Sequence, residues 1–180
     1  MRIFVVILMG LIRLSTAVAQ EGFPADWSGN WSGNLEIYNA TGKLTEVAML
    51  LEIHALDTSA TGRYFWGMAY GSKEHDWRPY ELVPLQPEKG LWQVDEKNGI
   101  RMESWYIHGK LLCWFVVSGS RILFTYEKTG PDTMLVEVTT GAETAYSTTQ
   151  NSPSDAEPEV YEVKTYPFSV FQRAVLQRIK

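Results

Sequence analysis

Few residues in this 180-residue chain are of a type and spacing that could do chemistry. Glu74, Asp76 and Arg78 cluster around Trp77, Asp95-Glu96 sits against a turn, and Glu103 follows Arg101 by two positions. Paired carboxylates act as general acid and base when their environments drive their pKa values apart. Adjacent acids at turns are far more often solvated surface, so no catalytic residue is assigned. His54, His75 and His108 lack the close spacings of zinc ligands, and neither a metal nor a cofactor is expected. Cys113 is the only cysteine, which rules out an internal disulfide. It lies in the apolar run Leu111 to Val117 and reads as a small buried hydrophobe; a nucleophilic thiol would need a base and a depressed pKa, and only His108 is near, across a predicted turn. The chain has no Gly-rich phosphate loop and no G-x-S-x-G elbow.

The elements that must position these groups are strands. Turn signals recur about every ten residues, and the segments between them alternate or are rich in aromatic and β-branched residues, the pattern of an all-β sandwich or barrel. Gly33, Leu35 and Ile37 form one inward set, and Val47, Met49, Leu51 and Ile53 a second. Tyr64, Trp66, Met68 and Tyr70 share one face of a short strand. Pro79 and Pro84 require the strand Trp77 to Leu85 to be bulged or at an edge. Asn98-Gly99 predicts direct pairing of Leu91–Glu96 with Arg101–Ile107 through a two-residue turn. Tight turns at His108-Gly109 and Ser118-Gly119 extend this into a meander. Ala142 to Glu159 reads as a long loop, and Phe168 to Ile179 fits a strand or a helix, with a strand preferred.

Residues 1–19 resemble a secretory signal: Arg2, an apolar run from Ile3 to Ile12, and Ala17-Val18-Ala19 as a cleavage site. The run is too short for a membrane span of roughly 20 residues. The expectation is cleavage near Ala19-Gln20, a single domain over 20–180, and a secreted or periplasmic location. Loss of Arg2 and Arg13 leaves fourteen of the sixteen cations against twenty-one acids, a formal charge near −7. That sign argues against nucleic acid, whose phosphates call for a cationic face.

Gly29-Asn30-Trp31-Ser32-Gly33, with Phe23 upstream, resembles the G-x-W signature of the calycin barrels, the lipocalin and nitrobindin group. The resemblance implies a single closed antiparallel up-and-down barrel, here of about 8–10 strands, with Trp31 plugging the closed end. It also implies an Arg packed on that Trp, matched to Arg173, with Arg178 second. The nitrobindin haem site uses a His late in the barrel; all three His here come earlier, so haem binding does not carry over.

A barrel of this size can enclose one small ligand or be filled by its own side chains. The favoured reading is a carrier of a small apolar or amphipathic molecule, lined by Tyr64, Trp66, Met68, Trp105 and Phe115. A polar group, Arg101, Glu103 or Arg78, would orient the ligand. Plain core is an equal reading of the stripe from Tyr64 to Met68. Two alternatives remain: a filled barrel that binds a protein through the acidic segment 152–159, and an enzyme using Glu74, Asp76 or Glu103 as acid and base.

Overall fold

A computed structural model describes residues 22–56, 62–153 and 159–179. The segment resembling a secretory signal lies outside the described residues. The chain forms a closed barrel of ten antiparallel strands. In chain order they are β1 (Gly29–Asn39), β2 (Gly42–Ala55), β3 (Tyr64–Tyr70), β4 (Trp77–Gln86), β5 (Leu91–Asp95), β6 (Arg101–Ile107), β7 (Lys110–Val117), β8 (Ser120–Gly130) and β9 (Thr133–Ala142), closed by β12 (Val170–Ile179). Each strand pairs with its sequence neighbour, and β12 fits between β9 and β1, joining Leu35 to Ala174 on one side and Val136 to Ala174 on the other. The sheet therefore has no free edge, which removes the templating hazard of an open meander. Phe168 to Ile179 resolves as strand rather than helix from Val170 onward.

Local chemistry explains the turns. His108 and Gly109 have φ of 47° and 82°, and Ser118 and Gly119 have 48° and 73°. These two left-handed pairs match the twist of the flanking strands and make two-residue hairpins. The Asn98-Gly99 hairpin is longer than the expected two residues. Lys97 takes the first positive φ, and the side chains of Asp95 and Asn98 accept from the amides of Lys97 (2.8 Å) and Ile100 (2.9 Å). The expected pairing across it is present, with Asp95 opposite Arg101. Strand β4 absorbs its prolines through a bulge between Pro84 and Gln86. Pro79 lies beyond the stretch of β4 that pairs with β5, so one side of it needs no ladder donor.

The expectation of a long loop from Ala142 to Glu159 is corrected. Ser147–Gln150 (β10) pairs with Glu162–Thr165 (β11) as a two-stranded ribbon standing outside the barrel. Every residue of both strands is exposed; β11 falls within Val160 to Thr165, whose alternation reads as a strand, whereas Ser147–Gln150 is uniformly polar and gives no such signal.

The core sits in one half of the barrel. A 3-10 turn, Ala25–Trp27, folds under the end where β1 begins and inserts Trp27 beneath Trp31 and Trp66, all three essentially inaccessible. The Trp31 indole N–H donates to the Trp27 carbonyl at 3.0 Å, so this fully buried ring has its polar atom satisfied. Phe23 stacks on Tyr106 at 4.1 Å and meets Trp27 and Trp92 edge-on. Buried aromatics of this size each remove about 150–250 Å² from water, and Phe23, Trp27, Trp31, Trp66 and Trp92 together stopper one end.

Arg178 locks the stopper. Its guanidinium lies 4.3 Å from the Trp31 ring centroid and donates to the carbonyls of Ser28, Asp26 (3.3 Å) and Pro131 (3.2 Å). The matching of Arg173 to this role is thereby corrected. Arg178 stands directly opposite Trp31 across the β1–β12 ladder, whereas Arg173 points outward toward Glu137 at 3.7 Å. Side chains alternate across a strand, and five positions of separation put the two arginines on opposite faces.

Candidate ligand-binding site

The other half of the barrel is open. Inward residues there line a cavity of about 460 Å³ whose walls include Ile37, Val47, Tyr70, Phe115, Ile122 and Phe124. A smaller chamber of about 90 Å³ lies further in, bounded by Met68, Val94, Met102, Cys113 and Tyr126. Tyr70, Arg78, Phe115 and Phe124 line both, so the two spaces form one tapering interior. Phe124 stacks on Tyr126 at 4.8 Å, and Tyr126 meets Trp66 edge-on at 5.1 Å. The cavity floor is thus the upper surface of the aromatic stopper.

A charged pair lies on this wall, and Glu96 lines the inner chamber beside Tyr80. Asp76, at the end of the β3–β4 turn, accepts from Arg78 Nε (2.8 Å) and Nη2 (3.0 Å). The guanidinium also lies 4.8 Å from the Tyr70 ring centroid. Asp76 takes one edge of the guanidinium and leaves Nη1 for another acceptor. The hydrogen bonds from Arg78 hold the Asp76 carboxyl below its ordinary range, and Asp76 in turn raises Arg78. Burial pushes the Tyr70 hydroxyl up to about 12 against the opposing charge of Arg78. Burial likewise raises Tyr126, well above its ordinary value, and the Cys113 thiol. All three remain neutral hydrogen-bonding groups near neutral pH. The Cys113 thiol donates weakly to the Glu103 carbonyl at 3.6 Å.

The residues expected to line a ligand site divide three ways. Phe115 and Met68 face the cavity system. Trp66 faces inward but is fully buried within the stopper, and Tyr64 packs against the same core. Trp105, Arg101 and Glu103 lie on the outer face of β6, and Trp105 is 42% exposed. Their strand alternates with Ser104 buried and with Met102 and Tyr106 packed on the core, so these three residues cannot contact a molecule inside the barrel. Arg78 is the polar group that does reach the interior. Tyr70, Phe124 and Tyr126 also line the interior; of these, Tyr70 sits at the two-residue spacing of the Tyr64, Trp66, Met68 stripe, the signal by which it could be found.

The three carboxylates weighed as acid and base, Glu74, Asp76 and Glu103, do not converge on one site. Glu74 is in the exposed turn, Glu103 is outside, and Asp76 is held ionised by Arg78. Among the described residues no group of three His, Cys, Asp or Glu is placed to hold a metal. No helix among them is long and apolar enough to cross a membrane.

No protein-family model matches the sequence, and no curated protein is similar to it. Solved structures do match in fold. A protein of unknown function from the DUF3598 family of Nostoc punctiforme superposes with a TM-score of 0.57 at 10% identity, over 86% of this chain and 48% of its own. This chain therefore spans about half the length of that neighbour. An S-type phycobiliprotein lyase from Guillardia theta gives a TM-score of 0.53 at 11% identity, over 86% of this chain and 89% of its own. At these identities the likeness of this chain's closed ten-stranded barrel to the two structures is one of fold alone.

Proposed function

We propose that this protein is an exported calycin-type carrier that holds a small amphipathic molecule in the open half of its barrel. The carrying observation is the tapering interior of about 460 Å³ leading into about 90 Å³, lined mainly by apolar and aromatic side chains with Arg78, Asp76, Glu96 and Gln172 as its charged and amide groups. Ligand sites have this character: concave, about 300–1,000 Å³, mostly apolar, with a few placed polar groups. The apolar body of the ligand lies along Val47, Phe115, Phe124 and Tyr126, and its polar group lies against Arg78 Nη1. A fold neighbour that is a phycobiliprotein lyase makes linear tetrapyrroles a natural class to test beside fatty acids and retinoids. Export rests on the apolar segment 3–12 and the Ala17-Val18-Ala19 site.

The test is titration with cis-parinaric acid, retinoic acid and biliverdin, read by ligand fluorescence and by quenching of Trp emission. Saturable one-to-one binding to at least one of them is expected, abolished by Val47→Trp, which fills the cavity without touching the stopper. Arg78→Gln should weaken the same ligand by about tenfold, the scale of one charge-assisted hydrogen bond. Absence of saturation with all three, or binding unaffected by Val47→Trp, removes the proposal.

A further inference from the structure

A second cavity lies outside the barrel. The chain between β11 and β12, residues 165–168, crosses the outer face of β7, β8 and β9 and roofs a groove of about 390 Å³. Cross-strand register builds its floor in two rungs: Val116, Arg121 and Gly141 in one, and Trp114, Leu123 and Thr139 in the next. Tyr166, Pro167 and Phe168 form the wall. Trp114 is 64% exposed and Phe168 80%, values unusual for rings that could have been buried.

Two features make this more than an apolar surface. The wall is fixed in place: a Cβ on Gly141 would overlap the Pro167 carbonyl oxygen, and the Ser169 amide and hydroxyl both donate to the Thr140 carbonyl at 2.8 and 3.1 Å. The groove also holds one charge. The Arg121 guanidinium lies 3.6 Å from the Tyr166 ring centroid and 5.9 Å from that of Trp114, and it has no carboxylate partner among the described residues. In a chain of formal charge −5 with twenty-one acids, an unpaired cation set among rings is informative. Stacking uses the face of a guanidinium and leaves its N–H edge free, and that edge matches a carboxylate bidentately.

We infer that this groove is a binding site for a small aromatic carboxylate, its ring against Trp114 and Phe168 and its carboxylate on the N–H edge of Arg121. The groove is separate from the barrel interior: no residue lines both cavities. Charge complementarity selects an anion, the exposed rings select a planar apolar body, and the volume suits a ligand of a few fused rings.

The experiment is titration of the full chain with 2-naphthoate and with the neutral 2-naphthylmethanol, followed by amide NMR shifts and calorimetry. Naphthoate is expected to shift Gly141, Phe168 and Ser169 and to bind at least tenfold tighter than the alcohol. Arg121→Gln should erase that preference. Arg121→Lys should recover little of it, because a point charge cannot stack and bind bidentately together. Unchanged melting of both variants shows that the fold is intact, and Trp114→Ala supplies an independent loss if either variant is unstable. The inference fails if naphthoate shifts map to Tyr70 and Phe115, if Arg121→Gln binds as the parent does, or if no binding occurs up to millimolar ligand. Val47→Trp should leave this binding unchanged, so loss of the interior site and loss of this one are read separately.

Discussion

Arg178 and Arg173 lie on opposite faces of the same strand and should differ widely in consequence. Arg178→Ala removes the stack on Trp31 and the donors to the carbonyls of Ser28, Asp26 and Pro131. Cation–π contacts contribute about 0.5–2 kcal/mol and charged hydrogen bonds about 1.5–3 each. Urea unfolding of Arg178→Ala is expected to show a loss of about 2–4 kcal/mol, a large share of the usual 5–15. Arg173→Ala should stay within about 0.5 kcal/mol, as exposed substitutions do; equal losses for the two would mean that Arg178 does not lock the stopper. Tyr70 gives a second prediction at this scale. Its folded pKa of about 12 exceeds the model-peptide value of 10.0, so the folded state holds the proton more tightly. The contribution is complete below about pH 10 and is lost as pH rises toward about 12. Tyr70→Phe should flatten that part of the stability curve, and an identical slope in both proteins would contradict the burial of the hydroxyl.

At the scale of elements, what could be read in the sequence depended on whether one face of a strand is dry. In β2, Val47, Met49, Leu51 and Ile53 alternate against polar or smaller residues, and both the strand and its inward face follow directly. In β6 the run Arg101 to Ile107 offers polar and aromatic residues on both parities. Only its pairing, with Ser104 opposite Cys113, decides that Trp105 turns outward. The ribbon β10–β11 has two wet faces; β11 alternates within Val160 to Thr165, but the uniformly polar β10 has no pattern. Arg178 was within reach of counting: if the last strand pairs antiparallel with the first, its final residues must lie beside Trp31. Gly141 shows an element held by something no pattern reports. Its backbone is pressed by the Pro167 carbonyl, so Gly141→Ala must displace the 165–168 segment at a cost of about 1–3 kcal/mol, typical of overpacking. The expected signature is a lowered melting temperature with faster hydrogen exchange at the Ser169 amide, whose acceptor is the Thr140 carbonyl. Unchanged exchange there would show that the segment tolerates the methyl group.

For the whole molecule, the division of the interior into a packed half and an open half sets how stability and binding are linked. The stopper of Phe23, Trp27, Trp31, Trp66 and Trp92 does not contact the large cavity except through its upper surface, formed by Tyr126 and Phe124. Under the proposed function, a ligand held in the upper half makes dispersion contacts with its walls in the folded state alone, without opening the core. Mass action then requires stabilisation of about 2.7 kcal/mol at a hundredfold excess over Kd. For a domain of this size that corresponds to a rise in Tm of about 5–10 °C. The rise should vanish in Val47→Trp, and the ligand-free variant should melt at or above the parent, because the added ring fills space already enclosed by apolar side chains. A ligand that quenches Trp emission without raising Tm would be bound outside the barrel, and the upper half would then be only an unfilled part of the fold.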